Sequence, residues 1–182
     1  MKKMMSALLV GCMFALNAFG VEIDTNKSSL TWKGTKVTGE HYGNLSFKSG
    51  EVTLKDDKLV GGEFEVEIDS LTVNDLEGEW RDKLMGHLRS EDFFEISKYP
   101  TSKLKINSVK GNTVNADLTI KGKTHPVKFD YKKEGEAYVG NFKFDRTKFG
   151  MIYNSGNFFK DLGDKLVHND VLVNFKLAFL KK

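Results

Sequence analysis

From Ser29 onward the chain alternates apolar and polar residues with few interruptions. In GEFEVEIDS, Phe64, Val66 and Ile68 alternate with Glu63, Glu65, Glu67 and Asp69. KLKIN repeats the rhythm with Leu104 and Ile106, and TVNADLTI with Val114, Ala116, Leu118 and Ile120. VKFDY follows with Val127, Phe129 and Tyr131, and VLVNFKLAF with Val171, Val173, Phe175, Leu177 and Phe179. Such alternation gives each segment one apolar and one wet face, the pattern of an antiparallel rather than a parallel sheet. With SLTWKGTKV, NLSFK and EVTLK near the N-terminus, the pattern predicts about eight strands. Turn signals separate them at DDK (56–58), KGN (110–112), KGKT (121–124) and KEGE (133–136). Strands this close in sequence favour an up-and-down meander. Closing the sheet would remove its edges and leave an interior for side chains or one ligand. A two-sheet sandwich satisfies the same alternation.

Two stretches break the rhythm. Between Asn74 and Pro100, Trp80, Leu84 and Leu88 recur at helical spacing and predict a helical cover over 78–94 with those three residues buried. Asn74 or Asp75 is placed at its start, and Ser90 as the N-cap of a second turn carrying Phe93 and Phe94. The second break, residues 145–170, mixes Gly150, Gly156 and Gly163 with Phe149, Tyr153, Phe158 and Phe159. Rings in such a connection must fold over something: a barrel mouth, a ligand or a partner subunit.

The N-terminus has the layout of an export signal: Lys2 and Lys3, an apolar run from Met4 to Leu16, then Ala18 and Gly20. Cleavage after Gly20 is expected, giving a signal peptide over 1–20, one domain over 21–182 and a periplasmic location. LVGC, ending at Cys12, offers a lipoprotein site as the competing reading. The expected mature chain has no cysteine and carries 26 basic against 25 acidic residues. With no basic block, nucleic acid is not expected as a partner, and no transmembrane segment is expected. The four histidines, His41, His87, His125 and His168, form no metal-binding spacing, and no catalytic motif occurs. We therefore expect no metal, no cofactor and no enzyme activity. Twelve of the fourteen phenylalanines follow Gly20, enough to fill a core or to line a tunnel.

KLMGHLRSEDFFEISKYPTSKLKI (83–106) resembles the signature segment of the YceI-like family, the lipid/polyisoprenoid-binding domain. LTWKGTKVTGEHYGNLSFKSGEV is similar to that family's first hairpin. VNADLTIKGKTHPVKFDY is similar to its G-x-L-T-I-x-G-x-T-x-x-V hairpin, with Ala116-Asp117 in place of the usual glycine step. FDRTKFGMIYNSGNFF resembles its D-R-T-x-F-G-I-x-Y segment, and VLVNFKLAF its closing strand. The resemblance spans residues 21–182. It implies a lipocalin-like antiparallel β-barrel with a short helical insertion over one end. It also implies a non-enzymatic carrier for a polyisoprenoid, an isoprenoid quinone or a fatty-acid-like lipid. On that reading the lining falls to Trp32, Phe47, Phe64, Val66, Ile68, Leu104, Ile106, Leu118, Phe129, Phe142, Phe144, Phe175 and Leu177. Leu84, Leu88, Phe93 and Phe158 would close the ends, and His87, Arg146 and Tyr153 would meet a polar headgroup. An enzyme acting on a quinone or lipid at the barrel mouth, a solid-cored interaction domain and a homodimer stay open.

Overall fold

The computed structural model describes residues 18–56 and 58–180. Nine antiparallel strands follow in chain order: β1 (Phe19–Glu22), β2 (Ser29–Lys36), β3 (Gly39–Lys55), β4 (Lys58–Glu67), β5 (Thr101–Lys110), β6 (Thr113–Ile120), β7 (Lys123–Glu134), β8 (Ala137–Asp145) and β9 (Val167–Leu177). From β4 to β9 each strand pairs with the next, β9 pairs with β2, β2 with β3, and β3 with β4. The ring closes, giving an eight-stranded barrel with β1 as one more strand.

The long β3 makes the closure. Its first half pairs with β2, from Leu30↔Leu45 to Lys36↔Gly39, and its second half pairs with β4, as in Val52↔Gly62. The register shifts between Phe47 and Ser49. Such an irregularity bends a strand and raises its twist. NLSFK and EVTLK, expected as two strands, are thus one. β1 pairs Phe19–Glu22 with Leu54–Glu51, so the expected cleavage after Gly20 falls inside a paired strand. Met1–Asn17, with Cys12 and the apolar run, lie outside the described residues.

After β4 the chain runs along the first half of β3 without becoming a regular strand. Thr72 N–H donates to Asn44 O at 3.0 Å and Asn74 N–H to Tyr42 O at 2.9 Å. The approach is close enough that a Cβ on Gly43 would lie 1.8 Å from Thr72 O. α1 (Gly78–Arg89) follows, its buried face in one cluster with Trp32 of β2 and Leu45 of β3. It buries Leu88 against Leu71 and Val73, with Leu84, Met85, Phe93 and Phe94 packed around them.

Several expectations about this segment need correction. The helix starts at Gly78 rather than at Asn74 or Asp75, because the Asp75 carboxylate accepts from Tyr42 N–H and His41 instead of capping a turn. It stops at Arg89, short of residue 94. Ser90 does two jobs: its hydroxyl donates to His87 O at 2.8 Å at the end of α1, and it opens the expected turn carrying Phe93 and Phe94, accepting from Asp92 N–H at 3.3 Å while its carbonyl accepts from Phe93 N–H at 3.2 Å. Trp80, expected in the buried stripe, is 71% exposed with Lys83 over its ring. The second break is shorter than 145–170, since β9 already begins at Val167.

Candidate functional site

The inward side chains of the barrel do not fill it. They leave a slit with about 1030 Å³ of atom-free space counting its open end, of which the roomy part is only about 120 Å³. Its walls are almost wholly apolar, with Ser102 and Lys103 as the polar exceptions beside the tips of Trp32, Tyr131 and Tyr138. Period two explains this: in β4, Phe64 and Val66 point inward while Glu63 and Glu67 are exposed. Phe129 stacks on Phe142 at 5.2 Å and meets Phe175 edge-on at 5.6 Å. Tyr131 and Tyr138 meet edge-on at 5.2 Å, and burial pushes the Tyr131 phenol above its ordinary value.

A second cavity, with a roomy part of about 580 Å³, lies between α1, β2 and the segment that precedes β9. Trp32 lines both spaces. Its indole N–H is held by Thr72 O at 3.1 Å, which fixes the ring at the junction. Phe93 faces the second cavity, and its neighbour Phe94 faces the slit. Here an apolar wall of Trp32, Leu84, Leu88, Phe93 and Val167 carries polar and charged groups: Lys36, Lys165, Arg146 and Asp164, with His41, His87, His168 and Tyr153.

Arg146 is the best-fixed of these groups. It is 2% exposed, in the short helical turn Arg146–Phe149 that follows β8. Its Nε donates to His168 O at 3.0 Å, Nη2 to Val167 O at 2.9 Å and Nη1 to Met151 O. These bonds staple the turn to the start of β9. Burial lowers the guanidinium's pKa, opposed by the charge of Asp145, yet it stays a cation near neutral pH. Phe93 packs 5.8 Å from it. The histidines are each held on one side: His41 Nδ1 by Asp75 at 2.7 Å, His87 Nε2 by Asp92 at 3.1 Å and His168 Nδ1 by Thr35 Oγ1 at 2.8 Å. His87 also meets Tyr153 edge-on at 4.4 Å.

The structure brings together nearly every residue that the sequence singled out. The thirteen lining positions from Trp32 to Leu177 all border the slit, twelve from strands and Ile68 from the short turn after β4. Leu84, Leu88, Phe93, His87, Arg146 and Tyr153 all border the polar cavity. Phe158 borders neither and is 55% exposed, so it closes no end. Sequence reasoning missed the wall residues Leu30, Leu45, Tyr131 and Tyr138, and the polar group Lys36, His41, Lys165 and His168. Alternation could have found the first set; no spacing signal marks the second. Among the described residues no group of three His, Cys, Asp or Glu is placed to hold a metal, and no helix is long and apolar enough to cross a membrane.

Comparison with known proteins gives consistent matches. A family model described as the YceI-like domain matches residues 22–179. A UPF0312 protein of Shewanella denitrificans is 30% identical over 178 residues, covering 86% of this chain and 91% of its own. One from Photorhabdus laumondii is 32% identical over 144 residues, 74% of this chain and 72% of its own. Among solved structures, BcnA of Burkholderia cenocepacia superposes with a TM-score of 0.65 at 20% identity, over 85% of this chain and 98% of its own. A polyisoprenoid-binding domain from Saccharophagus degradans, implicated in plant cell wall breakdown, gives 0.60 at 12% identity, over 88% and 98%. At those identities the two structures speak for the fold.

Proposed function

We propose, from the premise that this chain belongs to the YceI-like domain family, that it is a non-enzymatic binding or carrier protein for a long-chain isoprenoid or similar amphiphile held in the barrel. An isoprenoid quinone and a fatty-acid-like lipid belong to the same chemical class. The observation that carries this reading is the apolar slit inside a closed barrel, which shares Trp32 with a second cavity that bears charged groups. Its narrow bore suits a flexible chain better than a fused ring system. The similarity to a polyisoprenoid-binding domain supports the same ligand class. Burying roughly 600 Å² of tail would contribute about 15 kcal/mol gross. Association and ordering costs offset a large part of that. The export-type N-terminus supports a periplasmic setting, where a lipid crossing water needs its methylenes covered.

The test is binding of a fluorescent isoprenoid to Phe144→Asp, with Phe144→Leu as the control for folding and shape. Phe144 is 8% exposed on the slit wall, so a carboxylate there would face the tail without a partner. Loss of binding in a folded Asp variant, with binding kept in the Leu variant, is expected. A folded Asp variant that binds as wild type removes the slit from the account.

A further inference from the structure

We propose that the polar cavity is the headgroup subsite of the slit and that it selects an anionic headgroup, a phosphate or carboxylate, over a neutral one. The inference rests on the reading of the slit as a tail-binding tunnel. Three cations, Lys36, Arg146 and Lys165, line the cavity against the single carboxylate of Asp164. Among the described residues none of the three cations has an ion-pair partner within 4.0 Å.

Arg146 gives the cavity its direction. Carbonyls take one hydrogen from each of its three nitrogens, so one N–H on Nη1 and one on Nη2 have no acceptor among the described residues. At 2% exposure it is a cation withdrawn from water. Attraction to an incoming anion is stronger there than in bulk solvent. A neutral alcohol or quinone would leave that charge uncompensated. Lys36 and Lys165 add the attraction that draws an anion in. Among the described residues, His41, His87 and His168 each keep a second ring nitrogen with no protein hydrogen bond, backed by Asp75, Asp92 and Thr35 Oγ1 respectively. Trp32, lining both spaces, sets the boundary at which a tail would give way to its head.

The experiment compares two probes with one tail, geranylgeranyl phosphate and geranylgeraniol, titrated into the full chain by calorimetry. Inorganic phosphate serves as the free-anion arm. At low salt the lipid phosphate should bind at least about tenfold tighter than the alcohol, and the ratio should shrink at high salt. In Lys36→Gln/Lys165→Gln the ratio should fall by at least about threefold, the remainder being carried by Arg146. Those variants leave the Arg146 staple intact. Inorganic phosphate should bind far more weakly than the lipid phosphate. Equal affinity for the two lipids overturns this inference and leaves the tunnel standing; binding of neither overturns both. A preference that the lysine changes leave unaltered shows that the anion does not sit among Lys36, Arg146 and Lys165 and overturns it. Inorganic phosphate bound as tightly as the lipid phosphate makes the cavity a free-anion site, which overturns the headgroup role.

Discussion

Replacing Gly86 by Ala tests whether α1 gates the barrel. Gly86 is exposed within α1 and has no positive φ, and a methyl built on it meets no atom within 4 Å. The substitution therefore acts on the helix alone, favouring the helical state by about 1 kcal/mol. The anchorage of α1 is small: Leu88 is buried at 7%, Leu84 and Met85 are half-buried, and Trp80 points outward. A gate made of α1 has to open for lipid to exchange. If opening unwinds α1, the full increment enters the barrier and exchange slows about fivefold. Equilibrium affinity changes less, because the added helix stability is the same with and without lipid. The assay is transfer of a fluorescent isoprenoid between vesicles and protein, with thermal unfolding run alongside. Unchanged transfer in a variant shown to be more stable refutes unwinding of α1 as the gate.

Two further substitutions probe Arg146, in the wall of the second cavity, and Asp75, which holds the wall residue His41. Arg146→Lys replaces a planar fork with one ammonium that cannot reach the carbonyls of Met151, Val167 and His168 together. Leaving buried acceptors unpaired should cost about 2–5 kcal/mol in urea unfolding, and a variant as stable as wild type would contradict the staple. For Asp75, burial raises the carboxyl pKa, but Tyr42 N–H and His41 outweigh that and hold it below the usual range. A lowered folded value means the carboxylate's contribution is complete above about pH 4 and is lost as the pH falls through the folded value. The stability gap between wild type and Asp75→Asn should thus narrow from pH 7 to pH 3 in urea titrations; a constant gap would show that Asp75 does not carry it.

The barrel was legible because side-chain parity along a strand is fixed. Once Phe64, Val66 and Ile68 share a face, the same rule places Leu104, Leu118 and Phe175, and all of them border the slit. β8 was harder, since AYVGNFKFD opens with a buried Ala137–Tyr138 pair and alternates cleanly only from Asn141. Trp80 shows the limit of helical spacing. At 100° per residue, Trp80 and Leu88 lie roughly 80° apart, and Met85 draws the buried face further from Trp80. The polar cavity was mostly hidden because chain folding, not spacing, assembles it. Thr35 and His168 meet across 133 positions, and His41 and Asp75 across 34. Arg146 stood out in the sequence, but its grip on three carbonyls is a property of the turn it sits in.

Mass spectrometry of an organic extract from gently purified protein tests the central claim most directly. The account predicts a long-chain amphiphile at close to one molecule per chain, displaced when a synthetic isoprenoid is added. Protein that yields no lipid, takes up no added isoprenoid and stays folded would contradict it, leaving the slit as an imperfection in a packed core.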